Sequence, residues 1–529
     1  MPQVMQCRPR KAPDQAGRGP IKPPRRKTES WRGRWARRSA RLGKKPHPLP
    51  WASVGIVLLL LVALPTACDV ALARVFPGLV AWLQYVVTSV YALTSLVLVW
   101  EAAAAWRLGA GERREAASAG ETLPLPACTA IIAAYLPNEQ DIILETVRHM
   151  LTAVDVPPDR FQVILAYNTP ESLAIEADLQ EIAAHDPRLL PLRVAGSRSK
   201  AENVNAALGA ATGEIVAVYD ADHLPAPDCF CRAWHRLSAG ADMVQGRCVI
   251  RNHGQNWLTR TVALEFDTIY AVSHPGRAAL SGTAIFGGSN GYWRRETLAR
   301  MEMDAAMLTE DIDVSLRSLL SGCRLVHDRG LVSAELAPLR LDHWINQRKR
   351  WAQGWFEVTL KHTAALMRSP HFTTRQKALW FYLLAWREVY PALAIQFFPL
   401  VLTSVLTGIK IHWFSSPWLV AAAVLNWGSG PFVLLATYAC APPRARRGLG
   451  AWYWVYGLFS LVYTTGKVLV TLVAQVSHLQ RDREWVTTPR TGPQPKGEEE
   501  TAAILTGAGT NGLSGECHAE PDSAHAKPK

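Results

Sequence analysis

Two carboxylates near the middle of the chain have the spacing of a metal site. Asp220 and Asp222 are separated by one residue and follow the apolar run 216–219. Val and Tyr favour a buried strand and Asp does not, so both acids are predicted at the strand tip, where α/β sheets bind ligands. There they can hold Mg²⁺ or Mn²⁺, and the ion can neutralise a diphosphate. Asp is also common in turns and helix caps, so the pair alone does not establish a site.

A second acidic motif, TED at residues 309–311, opens the run TEDIDVSLRSLL. One interpretation is a helix start, because Thr309 can cap a helix and carboxylates favour the first turn. The functional interpretation makes Asp311 a general base, with Glu310 beside it. An acceptor hydroxyl that attacks a sugar carbon must lose its proton, and a nearby carboxylate can take it. The motif by itself does not decide between the two.

The third motif is QRKRW at residues 347–351. Helical spacing places Trp344, Arg348, Trp351 and Trp355 on one stripe of a helix. A Trp face suits stacking on a sugar ring, and Arg with Gln suits binding of a diphosphate. An interfacial helix at a membrane surface favours Trp and Arg as well, so both interpretations remain open at this point.

The elements that must position these motifs alternate between strands and helices. A loop is expected at 135–140, after the first strand. The predicted strands are 127–134, 161–167, 190–194 and 215–219, and the predicted helices are 141–151, 172–185 and 201–211. This alternation predicts an α/β domain with a mostly parallel sheet and helices on both faces.

Apolar segments long enough to cross a membrane flank this domain on both sides. The predicted transmembrane helices are 52–73, 79–99, 390–407, 418–441 and 452–476. The predicted division of the chain is a basic disordered arm (1–48), two transmembrane helices (49–101), a linker (102–123), the α/β domain (124–368), an amphipathic interfacial helix (369–389), about three transmembrane helices (390–478) and a basic, then disordered tail (479–529).

The positive charge is concentrated near the N-terminus. The formal net charge is +13, and residues 1–50 hold fifteen Lys and Arg against Asp14 and Glu29. A basic arm can bind nucleic acid, but directly before a hydrophobic segment it is typical of the cytoplasmic side and of contact with anionic lipid. We therefore predict a multi-pass plasma-membrane protein with a cytoplasmic α/β domain, lipid contacts and no nucleic-acid partner. The basic stretch 481–490 leaves the side of the C-terminus open.

The order and spacing of DAD, TED and QRKRW resemble family 2 glycosyltransferases of the cellulose synthase-like type. The resemblance covers roughly residues 124–480, and the combination is far more specific than any single motif. It implies a cytoplasmic GT-A domain, a Rossmann-like α/β fold with a mostly parallel sheet, flanked by transmembrane α-helices. It also implies Mg²⁺ or Mn²⁺ as the cofactor.

The same resemblance implies roles for individual residues. Asp222 resembles the metal ligand beneath the donor diphosphate, with Asp220 beside it at the metal and the nucleotide. Asp311 resembles the catalytic base, with Glu310 in the same motif. The other donor-binding residues are Tyr135, Glu139, Lys200, Asn203, Gln347 and Arg350. The acceptor-binding residues are Phe286, Gly288, Ser289 and Trp351.

The chain departs from the family pattern in two places. The family usually carries an Asp at the end of the second strand, where it holds the base or ribose, and here Asn168 in ILAYNTP is the nearest candidate. The loop YLPNE at 135–139 is also longer than the commoner YNE. Asn can bond a base edge but carries no charge, so both departures concern the choice of donor and not the reaction class.

The function implied is that of an inverting hexosyltransferase. It would move a sugar from a nucleotide-sugar, with UDP-glucose or another UDP-sugar favoured and GDP-mannose as the other donor, onto a growing β-glycan that the membrane helices export. One alternative is a transferase that adds a single sugar to a lipid acceptor. The alternative from another class is a non-catalytic membrane subunit or transporter that only binds nucleotide, against which the presence of all three motifs argues.

Overall fold

An eight-stranded mixed sheet lies at the centre of the α/β domain. The computed structural model describes residues 50–116, 124–441 and 448–481, so the predicted basic arm and nearly all of the predicted tail lie outside the described residues. The strands are β1 (Cys128–Tyr135), β2 (Phe161–Asn168), β3 (Leu189–Arg193), β4 (Ile215–Asp220), β5 (Leu224–Pro225), β6 (Met243–Ile250), β7 (Gly291–Arg294) and β8 (Leu325–Glu335).

The helices pack on the sheet and continue beyond the domain at both ends. In chain order they are α1 (Trp51–Val75), α2 (Gly78–Ala116), α3 (Leu136–Glu139), α4 (Ile143–Ala153), α5 (Ile175–His185), α6 (Lys200–Ala210), α7 (Cys229–Ser238), α8 (Trp257–Thr268), α9 (His274–Ser281), α10 (Arg295–Met301), α11 (Glu310–Leu320), α12 (Leu341–Arg368), α13 (Thr374–Thr407), α14 (Pro417–Cys440) and α15 (Gly450–Leu479). A 3-10 helix spans Pro158–Arg160, and π-helical turns interrupt α1 at Leu59–Ala63 and α13 at Tyr382–Trp386 and join α8 to α9 at Ile269–Ser273.

The strand order is β3-β2-β1-β4-β7-β6-β8-β5. The pairs β3-β2, β2-β1, β1-β4 and β6-β8 are parallel, and the other three pairs are antiparallel. The prediction of a mostly parallel sheet is therefore confirmed. In the parallel register Tyr135 lies opposite Asn168, and Ala133 lies opposite Asp220. The predicted site residues at the carboxyl ends of β1, β2 and β4 consequently lie along the same side of the sheet.

Apolar side chains cover both faces of the sheet. One core layer contains Met150, Leu179 and Phe230 from helices on one face. The other contains Val204 of α6 and Leu316 of α11. The central strands read as nearly continuous apolar runs because both of their faces are buried, as expected for parallel strands between two helical layers.

Within the residues that the structure describes, five helices are long and apolar enough to cross a membrane: α1, α2, α13, α14 and α15. Their number matches the five predicted spans. They pack against one another and against the domain. Ala102 and Ala105 of α2, for example, lie in a buried cluster with Ala436 of α14.

Three predicted boundaries differ from the structure. The segment 102–116, predicted as linker, continues helix α2, because its Ala-rich sequence has high helix propensity and contains no Pro. The predicted interfacial helix 369–389 is joined to the following span in α13, which starts at the Thr373 capping box and runs on to Gly408, where φ is +74°. The expected loop 135–140 contains the short helix α3, which Pro137 favours near its N-terminus.

Candidate active site

The two acids of the DAD motif have different surroundings at the tip of β4. Asp222 is only 1% exposed, and its Oδ2 accepts a hydrogen bond of 3.0 Å from the Leu336 backbone N–H. The Asp220 side chain is 36% exposed. The backbone N–H of Asp220 donates to Ser289 Oγ at 3.1 Å. One carboxylate is therefore fixed in the protein while the other reaches solvent.

His223, which directly follows this motif, completes a group of potential metal ligands. One ligand atom each of Asp220, Asp222 and His223 lies within 4.8 Å of the others. Carboxylate oxygens with one imidazole are a donor set that suits Mn²⁺ and, through the oxygens, Mg²⁺. The residues present thus fit the predicted cofactor. Sequence reasoning missed His223, although its position next to Asp222 was the available signal.

Lys200 links the DAD motif to the loop that follows α9. It begins α6, whose N-terminus Ser199 caps by accepting a hydrogen bond from the Glu202 N–H. Its Nζ forms an ion pair with the Asp220 carboxylate and donates to the Gly288 carbonyl oxygen at 2.5 Å. Burial opposes the charge of Lys200, but the carboxylates of Asp220 and the TED motif outweigh it and raise its pKa. The ammonium group therefore stays charged at neutral pH and can attract a phosphate.

The loop that carries Gly288 is hydrogen-bonded to Gln245, a buried residue that the sequence did not predict to take part in the site. Gln245 Oε1 accepts from the Gly287 N–H at 2.8 Å, and its Nε2 donates to the Ser289 carbonyl at 3.0 Å. Gly288 has a φ of +93°, a conformation that favours glycine. An uncharged amide on a central strand gives no motif, so only the tertiary structure reveals its role.

Phe286 of the same loop lies in the core. Its ring is fully buried and packs edge-on against Trp293 at 5.6 Å. Its backbone N–H donates to Ser315 Oγ at 2.8 Å. The Phe286 side chain thus anchors the loop, while the Gly288 carbonyl meets Lys200 and Ser289 Oγ accepts from the Asp220 N–H; the acceptor role of all three stays a prediction.

Asp311 lies in the first turn of α11 and faces Gly288. A Cβ atom at Gly288 would lie 2.8 Å from Asp311 Oδ2, and the Ile312 N–H donates to Asp311 Oδ1 at 2.9 Å. Thr309 makes no side-chain capping hydrogen bond, so the capping interpretation of the TED motif is wrong for that residue. Thr309 instead packs closely against Gly354 of α12.

The surroundings of Asp311 favour its protonated form. Burial and the neighbouring Glu310 raise the pKa of Asp311 to about 7, while Lys200 and Arg350 act in the opposite direction. A carboxyl group with a pKa near 7 is well matched to accepting a proton at neutral pH. A buried carboxyl with a raised pKa, close to a lysine, is typical of a catalytic centre.

Helix α12 presents the QRKRW motif to Asp311 and to the membrane helices. The Arg350 guanidinium lies close enough to influence Asp311, and its Nη1 donates to the Leu308 carbonyl at 3.4 Å. Gln347 is buried, and its Oε1 accepts from Arg348 Nη1 at 3.1 Å. The predicted stripe is present: Arg348 lies over the ring of Trp351, 4.3 Å from its centroid.

The predicted nucleotide-binding residues cluster at the ends of β1 and β2. The Tyr135 N–H donates to Glu139 Oε2 at 2.9 Å, so the YLPNE loop folds back on the strand end. Asn203 is 1% exposed, and its Nδ2 donates to Asn168 Oδ1 at 2.9 Å and to the Ala134 carbonyl at 3.1 Å. The buried Asn203 therefore orients the more exposed Asn168, which is the better placed of the two to meet a ligand.

Comparison with known proteins gives the class of the domain. Residues 126–354 match the family model described as "Glycosyltransferase like family 2". Cellulose synthase 2 of Novacetimonas hansenii is 24% identical over 257 residues, which cover 45% of this chain and 15% of that protein. Beta-monoglucosyldiacylglycerol synthase of Synechocystis sp. is 26% identical over 262 residues, which cover 47% of this chain and 52% of that protein.

Among solved structures, mannosyltransferase PcManGT from Pyrobaculum calidifontis in complex with GDP-Man and Mn²⁺ is similar with a TM-score of 0.44 and 21% identity. The match covers 74% of this chain and all of that one. The chain spans less than two thirds of the length of the curated relatives that it matches, from 15% to 59%.

Residues 126–354 thus form a family 2 glycosyltransferase domain, and all three motifs lie inside the matched region. The mixed sheet between two helical layers is the predicted α/β arrangement. Together with five apolar helices, this defines a membrane protein that carries a glycosyltransferase domain. The predicted resemblance and fold class are confirmed, whereas the roles of individual residues stay predictions.

Proposed function

We propose that this protein is an inverting glycosyltransferase that transfers a sugar from a nucleotide-sugar, with UDP-glucose favoured, onto a growing β-glycan. The observation that carries the proposal is a continuous series of contacts. Lys200 bridges Asp220 and the Gly288 carbonyl, and Gly288 touches Asp311. These contacts would bring a diphosphate-binding group and a base close to one another.

The donor half of the reaction rests on charge. Asp220, Asp222 and His223 would hold Mg²⁺ or Mn²⁺, which when bound would neutralise the leaving diphosphate. Lys200 and Arg350 would add positive charge near the same oxygens. Fixed charges that meet a developing negative charge are commonly the largest single contribution to catalysis.

The acceptor half rests on Asp311. Its carboxylate would take the proton of the acceptor hydroxyl while that oxygen attacks the anomeric carbon. The bond from that carbon to the diphosphate oxygen breaks as the new glycosidic bond forms on the opposite face, so the configuration inverts. Trp351, whose ring Arg348 covers on one side, would be the platform for the acceptor sugar.

We further propose that the domain is cytoplasmic and that the five apolar helices lie in the plasma membrane. The concentration of Lys and Arg before α1 supports this orientation. A chain that elongates a glycan next to a helical bundle could deliver it through that bundle. The product, and not the fold, would establish such export.

A specific observation favours a lipid acceptor as the second candidate. A mainly apolar cavity lies between α9 and α13, lined by Leu280, Ile285, Leu379, Trp380 and Leu383 among others. It borders the segment that leads into the Gly288 loop and lies beside two apolar helices. The cavity is only about 30 Å³ in volume, so it would have to widen to admit a lipid, which would then receive a single sugar.

The experiment is sugar transfer by membranes that contain the full chain. Radiolabelled UDP-glucose, UDP-N-acetylglucosamine and GDP-mannose are offered in turn with Mg²⁺ or Mn²⁺, beside an Asp311→Asn control. Transfer from one donor that the control lacks supports the proposal. An insoluble or long product identifies a glycan, and one organic-soluble species with a single sugar identifies the lipid acceptor. Failure of all donors to bind in the presence of metal would refute it.

A further inference from the structure

A buried carboxylate outside all three motifs connects the QRKRW helix to the last apolar helix. Glu265 lies on α8 and is 4% exposed. Its Oε2 accepts hydrogen bonds from Arg348 Nη2 at 2.5 Å and from Tyr463 Oη at 2.7 Å. Its Oε1 accepts from Lys467 Nζ at 2.6 Å. One side chain thus holds α8, α12 and α15 together.

This contact is an ionic one. Burial alone would favour a protonated Glu265, but Arg348 and Lys467 outweigh it and lower its pKa to about 2. Arg348 is 5% exposed, so its charge has little access to water for compensation. Removing one member of such a group leaves the others buried without a counter-charge, which displaces them or disrupts the packing.

Arg348 transmits this contact to two predicted site residues. It directly follows Gln347 in the chain, and its Nη1 donates a hydrogen bond to Gln347 Oε1 at 3.1 Å. Its guanidinium also lies 4.3 Å from the ring centroid of Trp351. On the other side, Tyr463 Oη accepts from Trp344 Nε1 at 3.1 Å, which fixes the start of the same Trp stripe.

We propose that Glu265 is a positioning residue for the acceptor: through Arg348 it sets Trp351, and through Lys467 and Tyr463 it fixes helix α12 relative to α15. The inference rests on the proposed function of Trp351 as a sugar platform. It assigns no direct contact with substrate to Glu265. Acceptor binding should therefore depend strongly on Glu265, whereas donor binding, for which Gln347 is one of several predicted residues, should depend on it little.

The test measures binding by the full chain in detergent, so it does not need turnover. The probes are a soluble β-1,4-glucan hexamer, titrated with UDP and Mn²⁺ present, and UDP itself. Glu265→Gln should weaken hexamer binding about tenfold or more and change the UDP dissociation constant by no more than about threefold, because Gln347 is only one of several predicted donor-binding residues. Tyr463→Phe, which removes a single hydroxyl, should weaken hexamer binding about threefold while keeping the fold. Glu296→Gln, on an exposed helix surface, is the matched control and should bind as the parent.

A double variant separates positioning from structural charge compensation. Glu265→Gln/Lys467→Met removes the part-exposed amine together with the carboxylate, and it should recover the part of the thermal stability that is lost through the unpaired Lys467. Hexamer binding should stay weak, because Arg348 is still without its partner. Full recovery of hexamer binding in the double variant, or parental binding by Glu265→Gln, overturns the inference. Binding of UDP but not of the hexamer by the parent protein overturns the glycan acceptor of the proposed function, and the inference with it.

Discussion

Gly288 and Asp311 are in direct contact: a Cβ atom added to Gly288 would lie 2.8 Å from Asp311 Oδ2. The two residues belong to different motifs, and Gly288 lies on the loop after α9 whereas Asp311 lies in the first turn of α11. Gly288 also offers its carbonyl oxygen to Lys200 at 2.5 Å. The absence of a side chain at this position is therefore what lets the predicted base approach the predicted diphosphate site.

Gly288→Ala should reduce sugar transfer at least about tenfold. The new methyl group would displace Asp311, and the φ of +93° is strained for alanine. Initial rates with saturating donor measure the effect. Gly209→Ala is the matched control, because that glycine is helical and a Cβ atom added there would have no neighbouring atom within 4 Å. Equal losses in both variants would show that the contact with Asp311 is irrelevant.

Asp311→Asn should reduce transfer by about 100-fold or more, the usual contribution of a general base. In the parent protein, kcat/KM should rise about tenfold per pH unit below pH 7 and level off above it. The direction follows from the pKa of about 7, because only the deprotonated carboxylate can accept the proton. A flat profile between pH 5 and 8 would argue that another group is the base.

The same substitution should stabilise the folded protein above neutral pH. A carboxyl whose folded-state pKa is raised holds its proton in the folded protein after the unfolded chain has lost its own. Stability therefore falls as pH rises from about 4 to about 7 and stays lower above that. Asn has no such titration, so Asp311→Asn should melt about 2–4 °C higher at pH 8 and no higher at pH 4. Thermal unfolding in detergent at both pH values measures this. The prediction is contradicted if the melting temperatures of Asp311→Asn and the parent differ by the same amount at pH 4 and pH 8.

Gly354→Ala should separate the TED motif from the QRKRW helix. A Cβ atom there would lie 2.4 Å from Thr309 Cγ2, so α12 and the start of α11 must move apart. We expect a loss of transfer of about 10- to 100-fold, because small displacements of reacting groups are costly. Ala favours a helix over Gly at both Gly354 and Gly209, so Gly209→Ala again serves as the control. Activity retained in Gly354→Ala would show that the close approach is not needed.

Mn²⁺ together with UDP should stabilise the parent protein but not Asp222→Asn. A ligand present at about 100 times its dissociation constant stabilises the folded state by about 2.7 kcal/mol, which thermal unfolding detects readily. Asp222 is the buried, fixed member of the acidic pair, so its loss should remove most of the effect. Equal stabilisation of both proteins would place the ion elsewhere.

Local patterns predicted much of this molecule correctly. Apolar runs such as those of β1, β2 and β4 identify strands because their residues favour a buried sheet, and long apolar segments identify the membrane helices. The boundaries that differed lie in α2 and α13, and both helices continue through residues that disfavour a helix, Gly109 and Gly111 in α2 and Pro391 in α13. Each helix thus continues beyond the point where the composition changes.

The sequence did not predict the role of residues that lie outside the motifs. Gln245 supports the Gly288 loop, and Glu265 pairs with Arg348 from 83 residues away. Neither residue type is unusual in its own segment. Phe286 also shows the limit, since its place in FGGS gave no information on which side of the loop its ring would lie.

The sequence by itself determined the class of domain, the membrane helices and the three motifs, because residue type and short-range spacing carry those properties. Only the tertiary structure decided that Lys200, Gly288 and Asp311 meet and that Glu265 joins α12 to α15. The physical reason is that these contacts depend on strand order, register and helix packing. Those are set by the burial of many side chains together and by no single segment.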